Sequence, residues 1–253
     1  MGKSKIDWTD YVWNPVTGCS KVSAGCANCY AERHAKRFWG ERKFTDIVCH
    51  EDRLNYPFSI KQPARIFVNS MSDLFHINVP GEFVEKVIWA ITKCPQHQFI
   101  ILTKRAERMK SFFDFYTAPL NLIAGVSVED QRTADERVPL LIETDVRYRA
   151  ISAEPLLGSI TLLGGLLPQT YQMIDWVIVG GESGPGARPM DERWARDLMS
   201  ECSELGIPFY FKQWGEYNEN GVRVGKVAAG NLLRGRAIHE YPYTEGFIKM
   251  VAP

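Results

Sequence analysis

Residues 64–104 read ARIFVNSMSDLFHINVPGEFVEKVIWAITKCPQHQFIILTK, and the order of patterns inside this stretch decides the fold. Ala64–Ser70 (ARIFVNS) is an apolar, β-prone run ending on small polar residues, which predicts a strand. A polar turn follows, and Glu82–Pro95 (EFVEKVIWAITKCP) carries apolar residues at helical spacing with Pro95 after its end. His97–Lys104 (HQFIILTK) is a second strand of the same kind. Both strands are apolar on both faces, as parallel strands covered by helices are.

The unit repeats down the chain. HQFIILTK leads to a predicted helix at Arg105–Tyr116, Leu120–Asp130 (LNLIAGVSVED) to one at Gln131–Thr144, and Asp175–Gly186 (DWVIVGGESGPG) to one at Asp191–Leu205 closed by Gly206. Arg147–Gly158 (RYRAISAEPLLG) is a further strand, although Ser159–Gln172 after it is glycine-rich and only weakly helical. Pro208–Tyr217 (PFYFKQWGEY) is the last strand, and Asp7–Val16 (DWTDYVWNPV) the first. Seven strands alternating with helices predict an α/β protein: a parallel β/α barrel, TIM-like and either complete or incomplete, in a single domain. Residues 1–215 form the expected barrel. Residues 216–253, glycine-rich and polar with a hairpin around Val222–Val227, form an expected loop extension packed on it.

The bulk properties exclude several classes. At 253 residues the chain suits one large domain, and 45% hydrophobic with 24% charged residues is an ordinary globular composition. Thirty basic and thirty acidic residues cancel, so the totals carry no electrostatic footprint for nucleic acid. Six cysteines without a signal peptide fit a reducing cytosol. No stretch is long and apolar enough to span a membrane, and MGKSKIDWTD is not a targeting sequence. The expected location is cytoplasmic.

In a β/α barrel the chemistry gathers where the strands end, because the loops there converge over the mouth. Asn69, Ser70, Ser72 and Asp73 fall at one such end; Thr103, Lys104 and Arg105 at the next; then Ser127, Glu129 and Asp130; Ser152 and Glu154; Glu182 and Ser183; Lys212 and Gln213. Taken singly, Asp73, Asp130 and Ser183 read as helix caps or turn formers. Glu154 and Glu182 each follow an apolar strand directly and would project into a partly desolvated mouth. Lys104, Arg188 and Lys212 are placed to balance them or to hold an anionic ligand. Trp13, Trp39, Trp176 and Trp214 offer stacking surfaces, though aromatics so spaced more often fill cores.

One further stretch bears on the chemistry. Thr17–Arg37 (TGCSKVSAGCANCYAERHAKR) places Cys19, Cys26 and Cys29 in the pattern C-x6-C-x2-C. Glycines precede the first two cysteines, and a helix is expected to begin at Tyr30, its N-terminal amides aimed at an anionic centre. Zinc would need a fourth ligand, for which His34 is available. A [4Fe–4S] cluster held by three cysteines would keep one iron open, as in radical S-adenosylmethionine (SAM) enzymes, whose usual loop is C-x3-C-x2-C. The spacing here is a variant, and the residues alone leave both metals open. Cys49, Cys94 and Cys202 read as half-buried or core thiols.

WTDYVWNPVTGCSKVSAGCANCYAERHAKRF, IFVNSMSDLFH, ILTKRAERM, GVSVEDQ, ISAEPLLG, DWVIVGGESGPGARPMD and PFYFKQWGE together resemble the three-Cys-motif family of phage and bacterial proteins, a radical SAM-like domain of unknown function. The resemblance implies that Cys19, Cys26 and Cys29 ligate a [4Fe–4S] cluster and that SAM binds its open iron. It implies SAM contacts from Asn69, Ser70 and Ser72, from Ser127 and Glu129, and near Ile151 and Glu154. Gly180, Gly181 and Glu182 spell the Gly-Gly-Glu of SAM recognition but follow the wrong strand, so that role does not transfer. The implied reaction is reductive cleavage of SAM to start radical chemistry on a nucleobase, nucleotide or nucleic acid, with an electron donor as partner. The basic run Lys104–Lys110 is the only local support for nucleic acid. Two rivals stand beside this reading: a zinc-holding nucleic-acid-binding protein without chemistry, and a barrel hydrolase or transferase in which Glu154, Glu182 and Lys212 are the acid–base groups.

Overall fold

A computed structural model describes residues 3–4, 6–162 and 173–243. In chain order the elements are β1 (Tyr11–Trp13), β2 (Val16–Thr17), α1 (Tyr30–Phe38), β3 (Val48–Cys49), β4 (Arg65–Val68), α2 (Gly81–Thr92), β5 (Gln98–Thr103), α3 (Ala106–Phe113), β6 (Leu122–Val128), α4 (Gln131–Glu143), β7 (Tyr148–Ala153), β8 (Trp176–Gly180), α5 (Glu192–Leu205), β9 (Phe209–Gln213) and α6 (Lys226–Ala229). Seven strands form one sheet in the order β1-β4-β5-β6-β7-β8-β9, every neighbouring pair parallel. This is the predicted α/β architecture. β1 and β9 do not pair, so the barrel stays open.

Curling of the sheet follows from its inner face. Phe67, Ile100, Ile123, Tyr148, Trp176, Ile178 and Tyr210 come from six different strands yet pack into one cluster around Trp8. The Trp8 ring meets Phe67 on β4 at 4.9 Å and Trp176 on β8 at 5.8 Å, both edge to face. A flat sheet would hold β4 and β8 four strand spacings apart, about 19 Å, so one indole touches both only inside a half-barrel. The opposite face of the sheet joins Phe83, Val87, Ile91, Met109, Leu141 and Leu198 of the helices in the larger core. Strands buried on both sides by these two clusters account for the continuous apolar runs.

The helices begin and end where local chemistry dictates. Asp130 caps α4 by accepting from the Thr133 amide, and the Thr133 hydroxyl returns the contact to close a capping box. Asp191 caps α5, which ends on Gly206 in the left-handed conformation, as expected.

Several features were not expected. β2 and β3 pair as a short antiparallel ribbon, joining the cysteine loop to the excursion at 38–60. The hairpin expected around Val222–Val227 lies earlier, closing where Tyr217 stands opposite Arg223, and Lys226–Ala229 forms the short helix α6 instead. Past it the chain returns along β9: the Phe211 amide donates to Ile238 O, and Arg65 stacks over Tyr241 at 3.9 Å. Of the weakly helical segment Ser159–Gln172, residues 163–172 lie outside the described residues, as do 244–253 of the tail. No helix among the described residues is long and apolar enough to cross a membrane.

Candidate active site at the strand ends

The cysteine loop lies over the C-terminal ends of the strands. Cys19 follows β2 through Gly18, whose φ is +98° and whose missing Cβ would sit 2.3 Å from Asp46 O. Only glycine allows that turn and that close approach. Cys26 ends a 3-10 turn at Ala24–Cys26, and Cys29 is the residue before α1, so the helix begins where the sequence predicts. All three thiols are half-buried and line one cavity of about 410 Å³. Cys49 stays in the β2–β3 ribbon, while Cys94 and Cys202 are fully buried in the outer layer, Cys94 two residues beyond the end of α2.

Three ion-paired clamps fasten this loop to the barrel. At the end of β8, Glu182 accepts from the Arg188 amide (2.9 Å), Arg188 Nε (2.9 Å) and Nη2 (2.6 Å), and from Asn28 Nδ2 (3.0 Å). Arg188 Nη2 also donates to Ala24 O, and Arg33 of α1 donates to Ser183 O. At the end of β6, Glu129 is wholly buried; it accepts from Lys104 and Arg137 and from the Gly25 amide of the loop at 3.2 Å. At the end of β5, Arg105 pairs with Asp73 at 2.8 Å and reaches Ser20 and Cys19. A fourth pair, Lys212–Glu154 at 2.7 Å, crosses the mouth from β9 to β7. Each carboxylate here therefore has its cation: Arg188 and Lys212 balance Glu182 and Glu154 as expected, whereas Lys104 is turned onto Glu129 instead.

The predicted ligand-binding residues divide into two groups. Ser72 Oγ donates to Val16 O and Ser70 Oγ to Asn14 Oδ1, so both hydroxyls brace the lead-in to the loop. Both carboxylate oxygens of Glu129 are engaged, and the residue lies behind the cavity wall. Ile151 is fully buried in the outer core against the helices, which corrects its expected place near a bound adenine. Ser70 and Ser72 nevertheless line the cavity, as do Asn69, Ser127, Ser152, Glu154, Glu182 and Lys212. Asn69 holds a left-handed conformation (φ 63°), and its Oδ1 accepts from the Val16 amide. Its Nδ2 is buried with no hydrogen-bond partner, a donor left over for a ligand. Among the described residues no hydrogen bond engages Ser127 Oγ, while its carbonyl accepts from Arg137. Trp8, Phe67 and Leu102 supply an apolar part of the lining.

Other expectations change. His34 is exposed and packs on Phe38, apart from the cavity the cysteines line. Among the described residues no three His, Cys, Asp or Glu side chains gather as for a single metal ion. Most of the basic run at Lys104–Lys110 is turned inward: Lys104 and Arg105 in buried pairs and Arg108 on His76 O and Val79 O, while Lys110 makes an exposed pair with Asp114. Residues on one short helix project in different directions, and the inward ones meet carboxylates or backbone carbonyls. Trp13, Trp176 and Trp214 are core; Trp39 carries Arg42 over its ring at 4.2 Å.

Burial raises the Cys19 thiol, with Asp73 adding to it against the pull of Arg105, and pushes it up to about 11. For Glu182 and Glu129 burial also pulls upward, but it is outweighed: by Arg188 and Asn28 in the first, by Lys104, Arg137 and the Gly25 amide in the second. Both carboxyls are held below the ordinary carboxylate value. A depressed carboxyl contributes stability that is fully present above its unfolded value, about 4.3 for Glu, and is lost as pH falls through the folded one. The urea midpoint of the protein is expected to fall steadily below about pH 5. In Glu182→Gln that slope flattens, because one of the titrating groups is gone; equal slopes in the two proteins would show that Glu182 contributes nothing.

Comparison with known proteins adds the following. Among solved structures, spore photoproduct lyase complexed with dinucleoside spore photoproduct superposes with a TM-score of 0.45 at 12% identity, covering 80% of this chain and 63% of that one. Two variants of the same lyase match with TM-scores of 0.45 and 0.42. The chain thus spans less than two thirds of the length of the structures it matches. No curated protein matches the sequence. A family model described as "Protein of unknown function (DUF5131)" matches residues 3–242, and the chain belongs to that family.

Proposed function

We propose that this protein is a radical SAM-type enzyme that holds a [4Fe–4S] cluster through Cys19, Cys26 and Cys29 and acts on a small substrate admitted to the cavity at the strand ends. One observation supports the reading: three cysteine thiols line one polar-rimmed cavity, yet among the described residues no three His, Cys, Asp or Glu side chains converge as around a single metal ion. Four-coordinate zinc needs its ligands to converge within about 2.3 Å of one ion, whereas a cubane spreads three thiolates over three irons and leaves the fourth open. The donor set therefore fits the cluster better than zinc, and His34 is turned away from the zinc role.

When bound, such a cluster supplies an electron to the sulfonium of SAM, delivered by an external donor. The chain's own residues hold and orient. Asn69 Nδ2, buried without a partner, and the Ser127 hydroxyl are the donors available to SAM. Glu129, Glu182 and Arg188 serve the reaction by positioning: Glu182 and Arg188 are spent on each other, Glu129 on Lys104 and Arg137, and all three on the cysteine loop, so Glu182 is not proposed as an acid–base group. Glu154 and Lys212 face the cavity as a pair and are the groups able to exchange a proton with substrate. The apolar lining of Trp8, Phe67 and Leu102 keeps water from the reacting atoms. A cavity of about 410 Å³ suits a small molecule or a single nucleotide.

The test is anaerobic purification with iron, zinc and sulfide analysis, a visible spectrum, and assay of SAM cleavage to 5′-deoxyadenosine under dithionite. A brown protein with about four irons is expected, with iron, colour and SAM cleavage all falling to background in Cys26→Ala. A colourless wild-type protein carrying one zinc would refute the proposal.

A further inference from the structure

We propose that Arg105 tunes the iron–sulfur group through Cys19, presenting a cationic N–H to its sulfur and easing reduction; the inference rests on the cluster reading above. Arg105 stands just past β5, immediately before α3, with its side chain 13% exposed. Its Nη1 donates to Asp73 Oδ2 at 2.8 Å and to Cys19 Sγ at 3.7 Å, and its Nη2 donates to Ser20 O at 3.1 Å and Ser20 Oγ at 3.2 Å. The anchors are themselves fixed. Asp73 accepts from Thr103 Oγ1, the Phe75 amide and the Lys104 amide, and Ser20 Oγ is shared with His76 Nε2. The guanidinium plane is therefore set by partners other than the sulfur, and its approach to Cys19 is a consequence of that scaffold.

The contact is asymmetric. Among the described residues no hydrogen bond is recorded to the sulfur of Cys26 or Cys29, so one thiolate of the three receives a charged donor. Hydrogen bonds to ligand sulfurs and nearby charge set the potential of iron–sulfur groups. A positive N–H favours the state with one more electron, and the Asp73 carboxylate behind it offsets part of that charge. Arg105 lines the cavity, but its N–H groups are engaged by Asp73, Ser20 and Cys19, so it acts through Cys19 as a positioning residue.

The test is a dye-equilibrated redox titration of the anaerobically reconstituted full chain, followed by cluster absorbance. Arg105→Gln removes the charge and is expected to lower the ratio of reduced to oxidised cluster at a fixed potential about tenfold, a midpoint about 59 mV lower. Arg105→Lys keeps the charge and is expected to stay within about threefold of wild type. The double variant Asp73→Asn/Arg105→Gln removes both charges, strands no buried carboxylate, and is expected to fall by an intermediate factor, about threefold; it carries the test if the single variant does not fold. A cluster with the wild-type midpoint in both Gln variants, or a Lys variant shifted as far as the Gln variant, would overturn the role of Arg105 while leaving the cluster in place. A wild-type protein that takes up no iron would overturn the cluster reading itself, and this inference with it.

Discussion

Glu129→Ala is expected to lower the unfolding free energy by about 3–5 kcal/mol at neutral pH, the usual cost of removing one partner from a buried ion pair. The side chain is 0% exposed, and two cations depend on it: Arg137 at 3.1 Å, itself 7% exposed, and Lys104 at 3.4 Å. Without the carboxylate both stay inside with no counter-charge, which is worse than never having buried them. Arg137 keeps one contact, to Ser127 O at 2.6 Å, so the loss is not total. The Gly25 amide loses its acceptor in the same variant, so the segment between Cys19 and Cys26 is released from β6. Urea unfolding at pH 7 measures the first effect, and iron uptake by the folded fraction measures the second. A loss below about 1 kcal/mol would place Glu129 with ordinary surface pairs and refute its role as the inner anchor of the cysteine loop.

Gly181→Ala is expected to cost about 3 kcal/mol or more, through overpacking rather than lost contacts. A Cβ at this position would stand 1.9 Å from Trp214 O and 2.7 Å from its carbonyl carbon, both backbone atoms that cannot rotate away. Here β8 and β9 change register, the Gly181 amide donates to Gln213 O, and Gly215 on the facing chain comes equally close to Glu182 O. Two bare backbones pass in contact, and a methyl group can enter only by separating them. Glu182 is the next residue, so the displacement also reaches its bonds to Arg188 and Asn28 and loosens the loop at Cys26 and Cys29. Thermal unfolding and proteolysis within the cysteine loop are the measurements. Gly81→Ala is the control: nothing lies within 4 Å of its Cβ position at the start of α2, and the change is expected to be neutral or stabilising by up to about 1 kcal/mol. Similar midpoints for the two alanine variants would show that the β8–β9 contact is not close-packed.

The parallel sheet was readable because its signals are local. ARIFVNS and HQFIILTK are apolar on both faces whatever they pack against, and the Asp130–Thr133 capping box and Gly206 mark helix ends within a few residues of themselves. The mouth was readable for a related reason: a strand that stays apolar and then turns polar announces its own end, so Asn69, Ser127, Glu154 and Lys212 could be placed on one rim before any packing was known. Even the start of α1 beyond Cys29 follows from the residues around it.

Pairing was readable only in part: Arg188 and Lys212 could be matched to the carboxylates of the rim, but most partners could not. Lys104 and Arg105 look like a basic face in the linear run KRAERMK, yet each is turned onto a carboxylate from another strand end, Glu129 and Asp73. Glu182 looks like a catalytic carboxylate until Arg188 and Asn28 occupy it, and Asn28 lies 154 positions away in the chain. Ile151 and Glu154, three residues apart, fall on opposite faces of the half-barrel, because alternation along a strand becomes inside and outside only when the sheet curls. The sequence by itself determined the alternation of strands and helices, the end of the sheet at which polar groups collect, and the three thiols in one loop. Tertiary structure alone decided which of those polar groups are spent on one another and which, like Asn69 Nδ2, remain for a ligand. Periodicity and capping are properties of neighbours in the chain, whereas the partner of a charge is whichever group the curled sheet brings within about 3 Å of it.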